Sequence, residues 1–189
     1  MEELIEIRWH GRGGQGAKTA AQFLAEAALE EGKYIQAFPE YGPERAGAPM
    51  RAYTRISSQP IKIHSAIRSP RAVVVIDPTL ATSLVLEGLD KDGLLIINSS
   101  DSPDELRKKL DYKGGKLATV DANRISLEAV GRVMPNTPML GALLKVFPMV
   151  SMEAVEKQVR AKFLKKIGQE KTEANIQAVR RAKDEVKLG

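Results

Sequence analysis

The chain has 189 residues, 43% of them hydrophobic and 28% charged, which suffices for one α/β domain with a real core. It contains no cysteine, which excludes disulfides, thiolate zinc sites, a cysteine nucleophile and cysteine-held iron–sulfur clusters, so that any redox chemistry has to occur on another chain. The net charge of +5 is uneven, with 10 Lys and Arg against 6 Asp and Glu from Ser151 onward and 19 against 18 before it.

Aromatic residues make up only 5% of the chain and do not interleave with the basic ones, so the basic excess reads as a solvated helical face and no nucleic-acid partner is expected. There is no apolar run of membrane-spanning length and no signal-peptide pattern, so the expectation is a cytoplasmic protein without membrane contact.

In chain order, Leu4 to Trp9 reads as a strand that empties into the turn Gly11-Arg12-Gly13-Gly14-Gln15-Gly16. Gln15 to Glu31 follows as a helix, with Phe23, Leu24, Ala27 and Ala28 at helical spacing and Gly32 as its stop. Tyr34 to Phe38 reads as a second strand, Pro39 to Pro49 as a stiff loop, and Met50 to Ile56 as a strand with one exposed face. The β-branched run from Arg71 to Asp77 predicts a buried central strand. Leu94 to Asn98 and Lys116 to Val120 predict two more.

Helices are expected at Thr79 to Glu87 and at Pro103 to Leu110, the latter with Ser102 as N-cap. A helix over Thr137 to Val146 ends before Pro148, and Ser151 caps an amphipathic helix carrying Met152, Val155, Val159 and Phe163. A last helix spans Thr172 to Val186. The alternation predicts a single α/β domain, with a mixed, mostly parallel sheet and helices on both faces. Its core covers about 1–147 and a helical tail covers 151–189.

A strand, a glycine turn and a helix are the parts of a phosphate cradle, because free N–H groups and the positive helix end favour an anion. On the residues alone three readings stay open. Gly11-x-Gly13-x-x-Gly16 fits a dinucleotide fingerprint, but the acid expected at the end of the second strand is only Glu40, after Pro39. Gly11 to Gly16 with Lys18-Thr19 nearly spells a P-loop, but Ala17 is inserted, and one residue turns a helix by about 100°. The third reading is a turn whose glycines serve only chain geometry.

Further motifs stand beside the turn. They are Phe38-Pro39-Glu40-Tyr41-Gly42-Pro43-Glu44-Arg45-Ala46-Gly47-Ala48-Pro49, then Arg55-Ile56-Ser57 with Pro60-Ile61, and Asn136-Thr137-Pro138-Met139-Leu140-Gly141-Ala142. In this order they resemble the gamma subunits of the 2-oxoacid:ferredoxin oxidoreductases, pyruvate ferredoxin oxidoreductase (pyruvate synthase) in particular. The resemblance runs from about Ile5 to Phe147. One departure is Ala46, where the family often carries a second arginine after Arg45.

The resemblance implies a subunit that is inactive alone. The family decarboxylates a 2-oxoacid on thiamine diphosphate, passes electrons through iron–sulfur clusters to ferredoxin and transfers the acyl group to coenzyme A. The thiamine diphosphate, magnesium and clusters then belong to alpha, beta and delta partner chains. No catalytic or metal-binding residue is expected here. Coenzyme A contact falls on Gly11, Arg12, Gly13, Gly14, Gln15 and Gly16, while Glu44, Arg45 and Asn136 are either ligand or interface residues. A free-standing nucleotide-binding protein of Rossmann or P-loop type is the alternative, and a purely architectural subunit a third. His10 and His64, the only histidines, read as packing or hydrogen-bonding groups.

Overall fold

Aliphatic and β-branched runs build one seven-stranded sheet, seen in a computed structural model that describes residues 4–41 and 47–189. Its strands are β1 (Ile5–Arg12), β2 (Tyr34–Tyr41), β3 (Pro49–Ser57), β4 (Ala72–Val75), β5 (Leu94–Asn98), β6 (Lys116–Val120) and β7 (Lys187–Leu188), in the order β2-β3-β1-β4-β5-β6-β7. The central β1, β4, β5 and β6 run parallel, while β3 is antiparallel to β1 and β2, and β7 to β6.

The helices are α1 (Ala17–Glu30), α2 (Pro103–Lys109), α3 (Ala122–Val130), α4 (Asn136–Val146) and α5 (Met152–Glu185). One face of the sheet, with Ile7, Trp9, Val74 and Ile96, packs under α1 and α4 in the large core, which also takes Val155, Val159 and Ile176 of α5. The other face, with Val73, Val75, Leu95 and Ile97, is covered by Leu106 of α2 and by Val85 in a smaller core. Ser102 caps α2 in a full capping box with Glu105, and Pro103 occupies its first turn.

Several expectations shift. Pro39 and Glu40 are inside a strand and not in a loop, since Pro39 pairs with Ala52 and Glu40 with Arg51. β2 is an edge strand, so the missing proline N–H leaves no gap in the ladder. The helix expected at Thr79 to Glu87 is two separate 3-10 turns, Pro78–Leu80 and Ser83–Leu86. Thr82 between them is extended, and only Val85 of these residues is buried, so no apolar stripe holds a longer helix down. α3 was not foreseen, although Asp121 caps it through the Arg124 N–H and Gly131 ends it in left-handed conformation. The two expected tail helices are the halves of α5, broken at Gly168 (φ 79°, ψ 171°). They fold back on each other, as the Arg180–Glu156 and Arg160–Glu173 pairs show.

Candidate functional site

β1 and β4 are adjacent and parallel, but the chain leaves them towards opposite faces, β1 into α1 and β4 into the 3-10 turns. Such a switch point opens a crevice at the strand ends, where ligands of α/β sheets bind. The glycine turn sits in it.

The turn is braced from below. The Gln15 amide oxygen accepts the Arg12 N–H at 2.8 Å, and its Nε2 donates to Asp77 Oδ2 at 2.6 Å. Thr79 donates its N–H and its hydroxyl to Asp77 Oδ1, at 2.8 and 2.6 Å. The Arg12 guanidinium lies 3.3 Å from Asp77 and donates to Thr79 Oγ1 and to Gly47 O. Burial by itself pushes the Asp77 pKa up. The bonds from Thr79 and Gln15, with Arg12 beside them, outweigh that and hold it below the ordinary value. Asp77 is therefore a carboxylate neutralised by Arg12, and an arriving anion does not meet a bare negative charge. Asp77 was not among the foreseen site residues. Its signal is an acid directly after a buried strand and before a proline.

The turn's donors divide into two sets. Gly13 N–H bonds to Ala48 O at 3.0 Å and Gln15 N–H to Arg12 O at 3.1 Å. Among the described residues, the N–H groups of Gly14 and Gly16 have no acceptor, and Gly16 as N-cap leaves the first turn of α1 without a side-chain cap. Gly14 has φ 95°, and a Cβ there would project into open space. Gly16 abuts Asn136, whose Nδ2 would lie 2.6 Å from an added Cβ. Asn136 is 1% exposed and opens α4, so the N-termini of α1 and α4 meet here. Its Oδ1 is buried without a partner, an unusual state for a polar atom. The turn and Asn136, far apart in sequence, are thus brought together. Glu44 and Arg45 lie outside the described residues. Lys18 is exposed.

A cavity of about 440 Å³ adjoins the turn on the face opposite α1. His10 lines it, 6% exposed, and accepts the Arg8 Nε–H on its Nε2 at 2.9 Å. Burial, with Arg8 and Arg51 nearby, lowers the His10 pKa from 6.5 to about 3. The ring is neutral, with its proton on Nδ1. Arg8, 2% exposed, also donates to Val85 O and Glu87 O, and so ties the 3-10 segment to β1.

Residues 6–185 match the family described as pyruvate ferredoxin/flavodoxin oxidoreductase. The chain belongs to that family. It is 53% identical to the pyruvate synthase subunit PorC of Thermotoga maritima over 98% of this chain and 96% of that one. The crystal structure of the Thermotoga subunit superposes with a TM-score of 0.89 at 50% identity, covering 99% of both chains. The common gamma subunit of the pyruvate/ketoisovalerate oxidoreductases of Pyrococcus abyssi is 47% identical over 98% of each chain. The fold also recurs, at 20% identity and TM-score 0.79, in 31% of a chain of 2-oxoglutarate:ferredoxin oxidoreductase from Magnetococcus marinus. That enzyme's structure holds 2-oxoglutarate, coenzyme A and succinyl-CoA. The match over the whole chain supports the oxidoreductase-subunit reading and not a free-standing nucleotide-binding protein. No helix among the described residues is long and apolar enough to cross a membrane.

Proposed function

We propose that this chain is the gamma subunit of a cytoplasmic pyruvate:ferredoxin oxidoreductase and that its glycine turn holds the phosphate end of coenzyme A. Alpha, beta and delta chains carry the thiamine diphosphate, magnesium and iron–sulfur clusters, and ferredoxin is met only through them. The observation that carries the reading is the set of donors that, among the described residues, have no acceptor at the crevice. The N–H groups of Gly14 and Gly16 and the first turn of α1 converge there with the start of α4 and Asn136. Two helix N-termini and oriented N–H groups suit a doubly charged phosphate, and an open crevice at a switch point admits it. Arg12 and Gln15 act by holding the turn on Asp77. Gly11 serves geometry, since a Cβ there would crowd Ala17 Cβ at 3.2 Å. Coenzyme A is also bound in the structure of a distant protein of this fold.

The test is Gly14→Val in the assembled enzyme. The branched side chain would stand in the open space above the turn and strain a residue with φ 95°. The KM for coenzyme A should rise about tenfold or more, the loss of one or two charge-assisted hydrogen bonds. Oxoacid-dependent reduction before acyl capture should be spared. An assembled variant with unchanged coenzyme A kinetics would make the turn structural.

A further inference from the structure

The turn accounts for phosphates, but the cavity beside it has its own chemistry. Its walls are aliphatic, made by Met50, Leu80, Leu84 and Val85. Among the described residues the one aromatic ring that lines it is the His10 imidazole. At its floor the His10 ring offers a single donor. Nε2 is engaged by Arg8, and among the described residues Nδ1–H has no partner. Next to His10, across β3, stands Arg51, with Glu40 beyond it on β2. Tyr53 donates its hydroxyl to Glu40. The cavity and the turn share Thr79, which lines the first and accepts from Arg12 of the second at 3.1 Å.

We infer that this cavity receives an aliphatic chain interrupted by amides, the part of the ligand that extends from the phosphates, with His10 Nδ1–H donating to one of its carbonyl groups. The inference rests on the coenzyme A reading of the glycine turn. Aliphatic walls bury the methylene segments, and a carbonyl is the acceptor that a neutral imidazole N–H selects. An amide N–H finds an acceptor in Glu40. A volume of about 440 Å³ holds such an arm but not an entire dinucleotide-sized ligand. Arg8 is a positioning residue. It orients the imidazole through Nε and pins the Val85 wall through its bonds to the carbonyls of Val85 and Glu87.

The experiment compares two probes on the assembled oxidoreductase: coenzyme A as substrate, and adenosine 3′,5′-bisphosphate, which has the phosphorylated nucleoside but no arm, as competitor. Leu84 is 71% exposed at the mouth, so Leu84→Glu leaves the fold intact. It should raise the KM for coenzyme A about tenfold and leave inhibition by the bisphosphate unchanged. His10→Leu should do the same. His10→Gln should recover most of the affinity, because its amide can accept from Arg8 and still donate into the cavity. If both probes are unaffected by Leu84→Glu and His10→Leu, the cavity takes no part of the ligand and the inference is wrong. If both weaken together, the cavity serves the nucleoside end or the fold at large, and the inference is equally wrong. A wild-type enzyme that the bisphosphate does not inhibit would remove the glycine-turn reading itself, a failure seen before any cavity variant is made.

Discussion

The two faces of the sheet are built differently. Under α1, α4 and α5 the packing is apolar and close. Gly141 of α4 lies so near α5 that an added Cβ would be 1.9 Å from Val179 O. On the opposite face the apolar cover extends over β4 to β6 and then stops. Over β1 and β3 it gives way to Arg8, His10, Arg55 and Thr79, joined by hydrogen bonds to Asp77, Glu6 and backbone carbonyls. The closed face supplies stability, and the crevice beside the glycine turn opens where, among the described residues, the other face runs out of helices. Variants of the closed face should therefore act on folding, and variants of the open face on binding and on pH.

The largest effect is expected from Gly141→Ala. The methyl group has only backbone to meet, so α4 and α5 must separate, at a cost of about 3 kcal/mol or more. For a chain of this size that lowers the Tm by roughly 6–12 °C. Calorimetry checks it, and an unchanged Tm would deny the close contact.

His10 comes next. Its pKa is about 3 in the folded chain, against a usual 6.5. Between those values the unfolded chain binds more protons, so stability is complete above about pH 6.5 and falls as acid is added. The slope reaches about 1.4 kcal/mol per pH unit. Urea unfolding at several pH values from 7 to 5 should show this slope in the wild type and a shallower one in His10→Gln.

Asp77→Asn should separate the faces more sharply. It removes the charge that Arg12 and Gln15 lean on, yet Arg12 is part-exposed, so the stability change should stay near 1 kcal/mol. The loosened turn should lose coenzyme A affinity by a larger factor than the Tm suggests, and faster amide exchange across 11–17 would report the loosening directly. Gly168→Ala should have the smallest effect on the site. There is open space for the methyl, so only the backbone geometry of φ 79° and ψ 171° opposes it, by roughly 1–3 kcal/mol. Ligand kinetics should not respond.

Much of this molecule is legible in its residue order. The β-branched runs at 72–75 and 94–98 are strands, Ser102-Pro103 opens a helix, and the glycines after β1 form a turn at a helix start. These are local effects of side-chain shape, capping and backbone freedom, which a neighbouring stretch of chain suffices to impose. The family was legible too, through several motifs in one order.

Other features depended on what lies far away in the chain. Pro39 belongs to a strand because β2 turned out to be an edge, a property of strand order and not of the residue. The segment 79–87 is not one helix, because only Val85 among its residues is buried. Asp77 became the brace of the glycine turn, and Asn136 its neighbour, only when the sheet and α4 brought residues more than sixty positions apart into contact. Likewise His10 is held neutral in a cavity, and that came from burial beside Arg8 and Arg51. Residue order alone placed β4, β5 and β6, the cap of α2 and the glycine turn. Tertiary packing decided which donors stay free and which charges are neutralised, because burial and long-range pairing are properties of the whole fold.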